Sequence, residues 1–378
     1  MPTKQWKPPL PALLLLALLT GSAHLTADVA ALQERDGLPV FRRGAQNGAP
    51  AVRAKVQGSE VKFLDPSGTV AAAVPLAGPA ARNTLAFSRQ GNLVCFSDGA
   101  NERAYDSRGA LLFSKRLDGG SEAFIGPWES CGAMLAEENV GRPDESIGMF
   151  KQGSRRDWAV HFARPADGGP RILGMKELED GSALVIYAQP PKIVHLDSGL
   201  GLLGQRDFDV KKIVQVCLSP DEASLLVFSA GIYSTHGKEH RLTLVRLADL
   251  ADAWSSVDFG PGIGFAFSND SDLIVVHDGA KGVISELDLD GNIRSKTYAN
   301  LGTLSQTVLP RDDRRFWIFA ASQAGPLAVE ARIGLFDPGS RDLRIDRLGD
   351  YRVEEAEDGR LVLSRDGRVF EVTDATGP

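Results

Sequence analysis

The chain has 378 residues, of which 43% are hydrophobic and 24% are charged, a composition that allows a large core and excludes a disordered chain. Lys and Arg number 42 against 49 Asp and Glu, and the resulting net charge of -7 excludes the basic surface that nucleic-acid binding requires. Length alone is typical of two or three ordinary domains.

The N-terminal segment has the features of a secretory signal peptide. Lys4 and Lys7 precede an apolar run at residues 12–19, and small residues follow at 21–23. We therefore predict a signal peptide over residues 1–23, which directs the chain to the periplasm or out of the cell. No cysteine for lipid attachment follows the run. The run is shorter than the roughly 20 residues of a membrane-spanning helix, and an uncleaved membrane tether is the alternative.

Short alternating segments separated by Asp and Gly follow, a pattern typical of consecutive antiparallel strands. In the clearest copies a strand leads into Asp and then Gly, because Asp bonds its own turn backbone and Gly takes a positive φ. The interval from Asp65 to Asp374 covers 309 residues in seven steps, or about 44 residues per repeat. The clearest of these turns are Asp65 to Gly68, Asp106 to Gly109, Asp288 to Gly291 and Asp337 to Gly339.

A second hairpin lies between successive Asp-Gly turns, for example at Leu85–Gly91 and Phe265–Asp270. Two hairpins in about 44 residues make a four-stranded unit, and this period resembles the repeats of WD40-like, TolB-like and quinoprotein-like β-propellers. The resemblance implies an all-β fold over residues 24–378 as a single propeller domain. It implies no activity, since no Trp-Asp dipeptide closes a repeat and the five Trp do not recur at one repeat position.

The ends of the chain favour eight blades. The first repeat has four candidate strands, beginning at 38–42, whereas the last repeat has three and ends near Thr373. The segment Leu25–Glu34 is free to supply the missing fourth strand and close the ring. Seven blades, with an irregular segment at 38–42, are the alternative.

Three cysteines, Cys95, Cys131 and Cys217, are too few for a disulfide framework. Each lies within or beside an apolar run, which predicts small buried side chains. A bridge between Cys95 and Cys131 is the alternative. The odd number leaves at least one thiol free in the monomer.

A binding surface is predicted on one face of the propeller. Turns between strands 1 and 2 and between strands 3 and 4 of a blade share a face, and turns between strands 2 and 3 share the other face with the linkers. Length variation concentrates in the 2–3 turns of the third, fifth and seventh repeats, and loops displayed on a rigid scaffold commonly bind partners. The candidate partner-binding residues are Glu137, Glu138, Arg142, Asp144, Tyr233, His236, Lys238, Glu239, His240 and Glu330.

The sequence has only weak motifs for metal binding or catalysis. His236 and His240 have the i, i+4 spacing of metal ligands on a helix, but Gly237 and Thr235 favour a loop, so we predict no metal site. We expect His195 and His277, in predicted strands, to be structural. The chain has no local signature of a catalytic nucleophile, a phosphate loop or a cofactor site, so we name no catalytic residue and no cofactor.

These observations predict an exported, non-catalytic scaffold that binds a protein or another envelope component. The alternative is a propeller enzyme, a hydrolase or lyase for a sugar, lactone or peptide, whose site lies at the central channel. Several His, Asp or Glu side chains converging on the axis would favour the enzyme.

Overall fold

The structure is a computed structural model in which every described element is a β-strand. It describes residues 25–26, 30–35, 53–57, 60–64, 69–75, 85–87, 93–97, 101–106, 108–116, 122–128, 132–138, 144–151, 154–163, 171–199, 201–234, 237–323, 329–349, 351–357, 360–365 and 368–374. Within these ranges no helix is long and apolar enough to cross a membrane.

The described residues form eight antiparallel sheets, numbered as blades 1 to 8 in chain order. Two strands precede blade 1 in the chain and belong to the sheet of blade 8: β1, Leu25–Thr26, and β2, Ala30–Arg35. Blade 1 contains β3, Arg53–Gln57; β4, Glu60–Leu64; and β5, Val70–Pro75. Blade 2 contains β6, Leu85–Phe87; β7, Leu93–Ser97; β8, Asn101–Asp106; and β9, Leu111–Arg116. Blade 3 contains β10, Glu122–Trp128; β11, Gly132–Glu138; β12, Asp144–Lys151; and β13, Ser154–Ala163.

Blade 4 contains β14, Arg171–Glu177; β15, Ala183–Gln189; β16, Lys192–Leu196; and β17, Leu202–Asp207. Blade 5 contains β18, Lys212–Leu218; β19, Ser224–Ser234; β20, Gly237–Arg246; and β21, Asp252–Ser256. Blade 6 contains β22, Ile263–Phe267; β23, Ile274–Asp278; β24, Val283–Leu287; and β25, Ile293–Tyr298. Blade 7 contains β26, Leu304–Pro310; β27, Phe316–Gln323; β28, Val329–Asp337; and β29, Asp342–Gly349. Blade 8 contains β30, Arg352–Glu357; β31, Arg360–Arg365; and β32, Arg368–Asp374.

The predicted all-β architecture of four-stranded antiparallel propeller blades is confirmed. First strands of successive blades contact one another, for example β22 and β26. Fourth strands are the least buried: β17 and β25 contain no fully buried residue and alternate between exposed and half-buried residues. The first strands therefore line the axis and the fourth strands form the rim.

The chain termini meet in blade 8, where β2 pairs antiparallel with β32 from Ala30 opposite Asp374 to Arg35 opposite Val369. The segment predicted as one strand is two, because β1 folds back so that Leu25 lies opposite Leu32. The strand predicted at 38–42 lies outside the described residues, so the blade number and the closing of the ring stay predictions.

Apolar side chains fill the seams between neighbouring blades. The seam between blades 5 and 6 holds Phe228, Phe265 and Phe267, each at most 2% exposed. The seam between blades 7 and 8 holds Trp317, which packs with Tyr351 and other buried side chains. Because neighbouring blades cover both faces of the inner strands, all five residues of β22, the first strand of blade 6, and of β23, the second strand, are buried.

The turns between strands 3 and 4 of the blades, called 3–4 turns, have the predicted Asp hydrogen bonds and positive glycine φ. In blade 6, Asp288 Oδ1 accepts hydrogen bonds from the backbone N–H groups of Asp290 and Asn292, at 3.1 and 2.8 Å. Gly291 adopts a φ of 81°, which a residue with a Cβ rarely tolerates. The equivalent Asp197 and Asp337 bond their own turns in the same way.

Candidate functional site

The first strand of each blade begins on the same face as its 2–3 turn. In blade 5, Lys212 at the start of β18 lies opposite Ala230, near the end of β19. The chain therefore enters each blade on the face predicted to bind a partner, which is called the loop face below.

Blade 5 projects on the loop face beyond its own first and fourth strands. Ala230 pairs with His240, and beyond this pair β19 and β20 continue to Ser234 opposite Gly237. β18 reaches only to Ala230, and β21 only to Leu242. Residues 231–234 and 237–239 therefore form the two strands of a projecting hairpin that extends beyond both flanking strands, where the sequence predicted a loop.

Two of the predicted residues pair directly in this projecting hairpin: Tyr233 lies opposite Lys238, and Glu239 lies opposite Ile232. Gly231, with a φ of 87°, sits at a break in the register, and a Cβ there would lie 2.3 Å from Lys211 Cβ. A bulge at glycine bends the hairpin as it leaves the blade. His236 lies outside the described residues.

His240 stands at the base of the projecting hairpin. Its ring stacks on Phe228, with centroids 5.8 Å apart and planes 18° from parallel. Partial burial lowers the pKa of His240, which favours the neutral ring. His240 thus covers the edge of the core between blades 5 and 6, and its contacts are those of a packing residue.

Glu330 lies at the base of the 2–3 turn of blade 7 and forms two ion pairs. Its Oε2 accepts from Arg332 Nη2 at 3.1 Å, and its Oε1 lies 3.8 Å from Arg347 Nε. Arg332 also donates through Nη1 to the carbonyl of Asn300, at 2.7 Å. This network joins two strands of the blade to the linker that enters it.

The blade 3 candidates lie where two strands end on the loop face. Glu138, the last residue of β11, lies opposite Glu122, and Glu137 lies opposite Ser146. Asp144 begins β12 opposite Ala163. Arg142 lies outside the described residues.

Exposed apolar side chains accompany the first strands on this face, a feature that the sequence analysis missed. Leu173, Val214 and Leu304, near the starts of β14, β18 and β26, are 37%, 39% and 43% exposed. The register breaks at Leu173 in blade 4 and at Val214 in blade 5. Such bulges turn a side chain away from its sheet, here near the axis.

The opposite face, formed by the 1–2 and 3–4 turns, contains a cleft of about 500 Å³ between blades 6 and 7. Three turns supply its walls: 268–273, 311–315 and 337–341. The sequence did not predict this cleft. Its lining is Ser268, Asp272, Leu273, Asp313, Arg314, Phe316, Asp337, Pro338, Gly339 and Ser340.

Ser182, His195 and Asp180 form a polar cluster in blade 4. Ser182 Oγ donates to Asp180 Oδ1 at 2.5 Å and lies 2.9 Å from His195 Nε2. The hydroxyl of Ser182 lowers the pKa of Asp180, and burial lowers the pKa of His195. Ser182 Oγ therefore bridges the carboxylate of Asp180 and the ring of His195. The cluster ties a strand to a turn.

Two further reactive side chains are held in apolar surroundings. His277 is fully buried in β23, and burial lowers its pKa to about 4. Cys217 is a free thiol packed against the core between blades 5 and 6, and burial raises its pKa. A raised pKa disfavours the reactive thiolate. Cys131 lies outside the described residues, so the alternative bridge to Cys95 stays a prediction.

Across the described part of the chain, no three His, Cys, Asp or Glu side chains are grouped so as to hold a metal ion. The described first strands of blades 4, 5 and 7 expose Leu173, Val214 and Leu304 instead. The channel enzyme stays an alternative prediction.

Comparisons with known proteins define the fold. No family model matches the chain, and no curated protein matches it. Among solved structures it is similar to the dihydro-heme d1 dehydrogenase NirN in complex with DHE, with a TM-score of 0.58, 16% identity, and coverage of 91% of this chain and 75% of that one. It is also similar to a eukaryotic initiation factor, with a TM-score of 0.55, 15% identity, and coverage of 92% and 89%. At such identities the likeness shows the β-propeller fold alone.

Proposed function

We propose that the chain is an exported, non-catalytic propeller that binds a protein partner of the cell envelope through its loop face. The observation that carries the proposal is the projecting hairpin of blade 5, residues 231–234 and 237–239, which extends beyond both flanking strands. Interfaces combine apolar anchors with a polar rim. Exposed Val214 and Leu304 supply anchors on this face, and the hairpin supplies Tyr233 and Lys238.

Partner capture tests the loop face. The tagged mature chain is incubated with an envelope extract, and the captured proteins are quantified by mass spectrometry. In one variant, residues 231–239 are replaced by Asn-Gly, a two-residue turn that closes a hairpin between Ala230 and His240. In another, the apolar residues are changed as Leu173→Ser, Val214→Thr and Leu304→Ser.

We expect one protein to be captured by the native chain and lost from both variants. The matched control changes exposed apolar residues on the rim, Leu202→Ser and Ile293→Thr, which are 53% and 43% exposed. Retention of the partner by both loop-face variants, or its loss from the rim control alone, would contradict the proposal.

Export is the second part of the proposal and rests on the predicted signal peptide at residues 1–23. Fractionation of cells that make the full chain should recover a protein beginning at His24 in the periplasm or the medium. Deletion of residues 2–23 should leave the protein in the cytoplasm. Recovery of the intact N-terminus in the membrane fraction would instead show a tether.

A further inference from the structure

The 1–2 turns of neighbouring blades are joined across two successive seams. Between blades 4 and 5, the backbone N–H of Glu179 donates to Glu222 Oε2 at 2.6 Å. Between blades 5 and 6, the N–H of Asp221 donates to Ser271 Oγ at 3.1 Å. In both seams the side chain of the later turn reaches back to the backbone of the earlier turn.

The two residues that reach back share a backbone conformation. Glu222 and Ser271 have φ values of 56° and 64°, in the left-handed region, and each is the fourth residue of a six-residue turn. These turns are closed by hydrogen bonds from Ser219 N to Ser224 O and from Ser268 N to Leu273 O. In both turns the side chain of this left-handed residue bonds the turn of the preceding blade.

The turn of blade 7 lacks this residue. It is closed from Arg311 N to Arg315 O, one residue shorter, and residues 311–315, all of them described, include no positive φ. At this third seam the turns are separated by the 500 Å³ cleft. The shorter turn thus lies at the seam that is open between blades 6 and 7.

The cleft has an apolar floor and an acidic rim. Leu273, Phe316 and Pro338 supply apolar surface, and Phe316 is 1% exposed. Three carboxylates and one guanidinium, Arg314, line the remainder, so the charged groups of the lining sum to -2. Ligand cavities with this combination bind an apolar stem and fix a charged head.

Two of the three carboxylates have free acceptor capacity. Asp313 has no hydrogen-bond or ion-pair partner among the described residues, and it comes from the shortened turn. Asp337 uses Oδ1 for the N–H groups of Gly339 and Ser340, at 2.9 and 3.3 Å, and its second oxygen accepts no bond from the described residues. Asp272 is paired within its own turn, because its side chain hydrogen-bonds that of Asp270 and both carboxylates lie near Ser268 Oγ, at 2.5 Å for Asp270 and 3.2 Å for Asp272.

We infer that the cleft between blades 6 and 7 binds a lysine side chain from an extended, basic segment of a protein partner. Three carboxylates from three turns suit an ammonium group, which donates in three directions, better than a planar guanidinium fork. The floor covers the aliphatic stem, and 500 Å³ leaves room for flanking backbone. Asp270, on the same turn as Asp272, and Asp221, on the neighbouring turn of blade 5, add attraction at longer range.

A labelled peptide with three Lys-Gly pairs is the probe, measured by fluorescence anisotropy with the mature chain. The cleft variant combines Asp272→Asn and Asp313→Asn, and we expect its Kd to rise about fivefold. The control combines Asp197→Asn and Asp290→Asn, which remove the same charge from 3–4 turns of this face outside the cleft. We expect the control to change Kd less than about twofold.

A steric variant, Ser340→Trp, keeps every charge and should abolish binding by filling the cleft, with an unchanged thermal midpoint for folding. Three results would overturn the inference: equal weakening in the control, equal binding of a peptide with norleucine in place of lysine, or tighter binding of the arginine peptide. Tighter, stoichiometric binding of spermidine would assign the cleft to a small polyamine instead.

The inference does not depend on the proposed loop-face function, because the cleft lies on the opposite face. The variant in which Asn-Gly replaces residues 231–239 should bind the lysine peptide as the native chain does. If this variant loses envelope capture but still binds the peptide, the cleft assignment stands. If it retains envelope capture but loses peptide binding, the cleft assignment alone is contradicted.

Discussion

At the scale of single residues, His277 is the clearest source of pH sensitivity. It is fully buried, neither ring nitrogen has a hydrogen-bond partner among the described residues, and burial lowers its pKa to about 4. By strand register its side chain lies beside Gly264 and Ile284, while Asp278, the next residue, offsets part of the shift. An unfolded histidine takes up a proton near pH 6.5.

We therefore expect stability to fall as the pH drops from about 6.5 toward 4, because the unfolded chain binds the proton first. The loss attributable to His277 between pH 7 and pH 5 is about 2 kcal/mol. Urea unfolding of the native chain and of His277→Leu at both values measures it. The prediction is wrong if the variant loses as much stability as the native chain over this interval.

Ser182→Ala tests the polar cluster of blade 4. Removal of the hydroxyl leaves Asp180 without its main stabilising bond and leaves half-buried His195 without its Nε2 contact. We expect a loss of about 1 to 2 kcal/mol in the free energy of unfolding. The pKa of Asp180 should also rise toward its usual value, which carboxyl NMR titration would measure. An unchanged Asp180 pKa would contradict the assigned cause.

At the scale of elements, Ser271 connects turn geometry to the packing of blades. Both Ser271→Ala and Ser271→Gly remove the hydroxyl that accepts from Asp221 N, but only alanine keeps a Cβ at a φ of 64°. We expect the alanine variant to be less stable than the glycine variant by about 1 kcal/mol. Chemical denaturation of the two variants measures the difference. Equal stabilities would show that the left-handed conformation relaxes at no cost.

The 3–4 turns could be predicted from sequence because their chemistry is local. Asp288 and Gly291 supply the acceptor and the positive φ within four residues, and the structure shows both. The projecting hairpin was predicted as a loop because Gly231 and Gly237 are typical of turns. In the structure Gly231 sits at a bulge and Gly237 begins a strand.

The cleft could not be predicted in the same way. Its walls come from Asp272, Asp313 and Asp337, which are far apart in the chain and meet only after the blades pack. The sequence feature that could have pointed to the cleft is the length of a turn, because the segment 311–315 is one residue shorter than 268–273. The meaning of that difference depends on the seam contact of Ser271, which no single repeat reveals.

At the scale of the whole molecule, the pairing of β2 with β32 joins the two ends of the chain. Deletion of residues 25–35 would leave β32 as an unpaired edge, and such edges promote self-association. We expect a lower thermal midpoint and concentration-dependent oligomers, measured by circular dichroism and light scattering. A chain that lacks only residues 2–23 is the control. Monomeric behaviour with an unchanged midpoint would contradict the predicted role of β2 in closing the ring.

The joined seams and the open seam differ by one residue in the length of a turn, which corresponds to one codon in the gene. One residue separates the turn of blade 7 from the turns of blades 5 and 6. Exposed hairpin tips tolerate insertions well, so a single in-frame codon added within 311–315 could be accepted without loss of the fold. If the added residue adopted a positive φ, its side chain would reach back to blade 6. We expect such an insertion to close the inferred lysine site with every strand left in place, by a change of only three nucleotides.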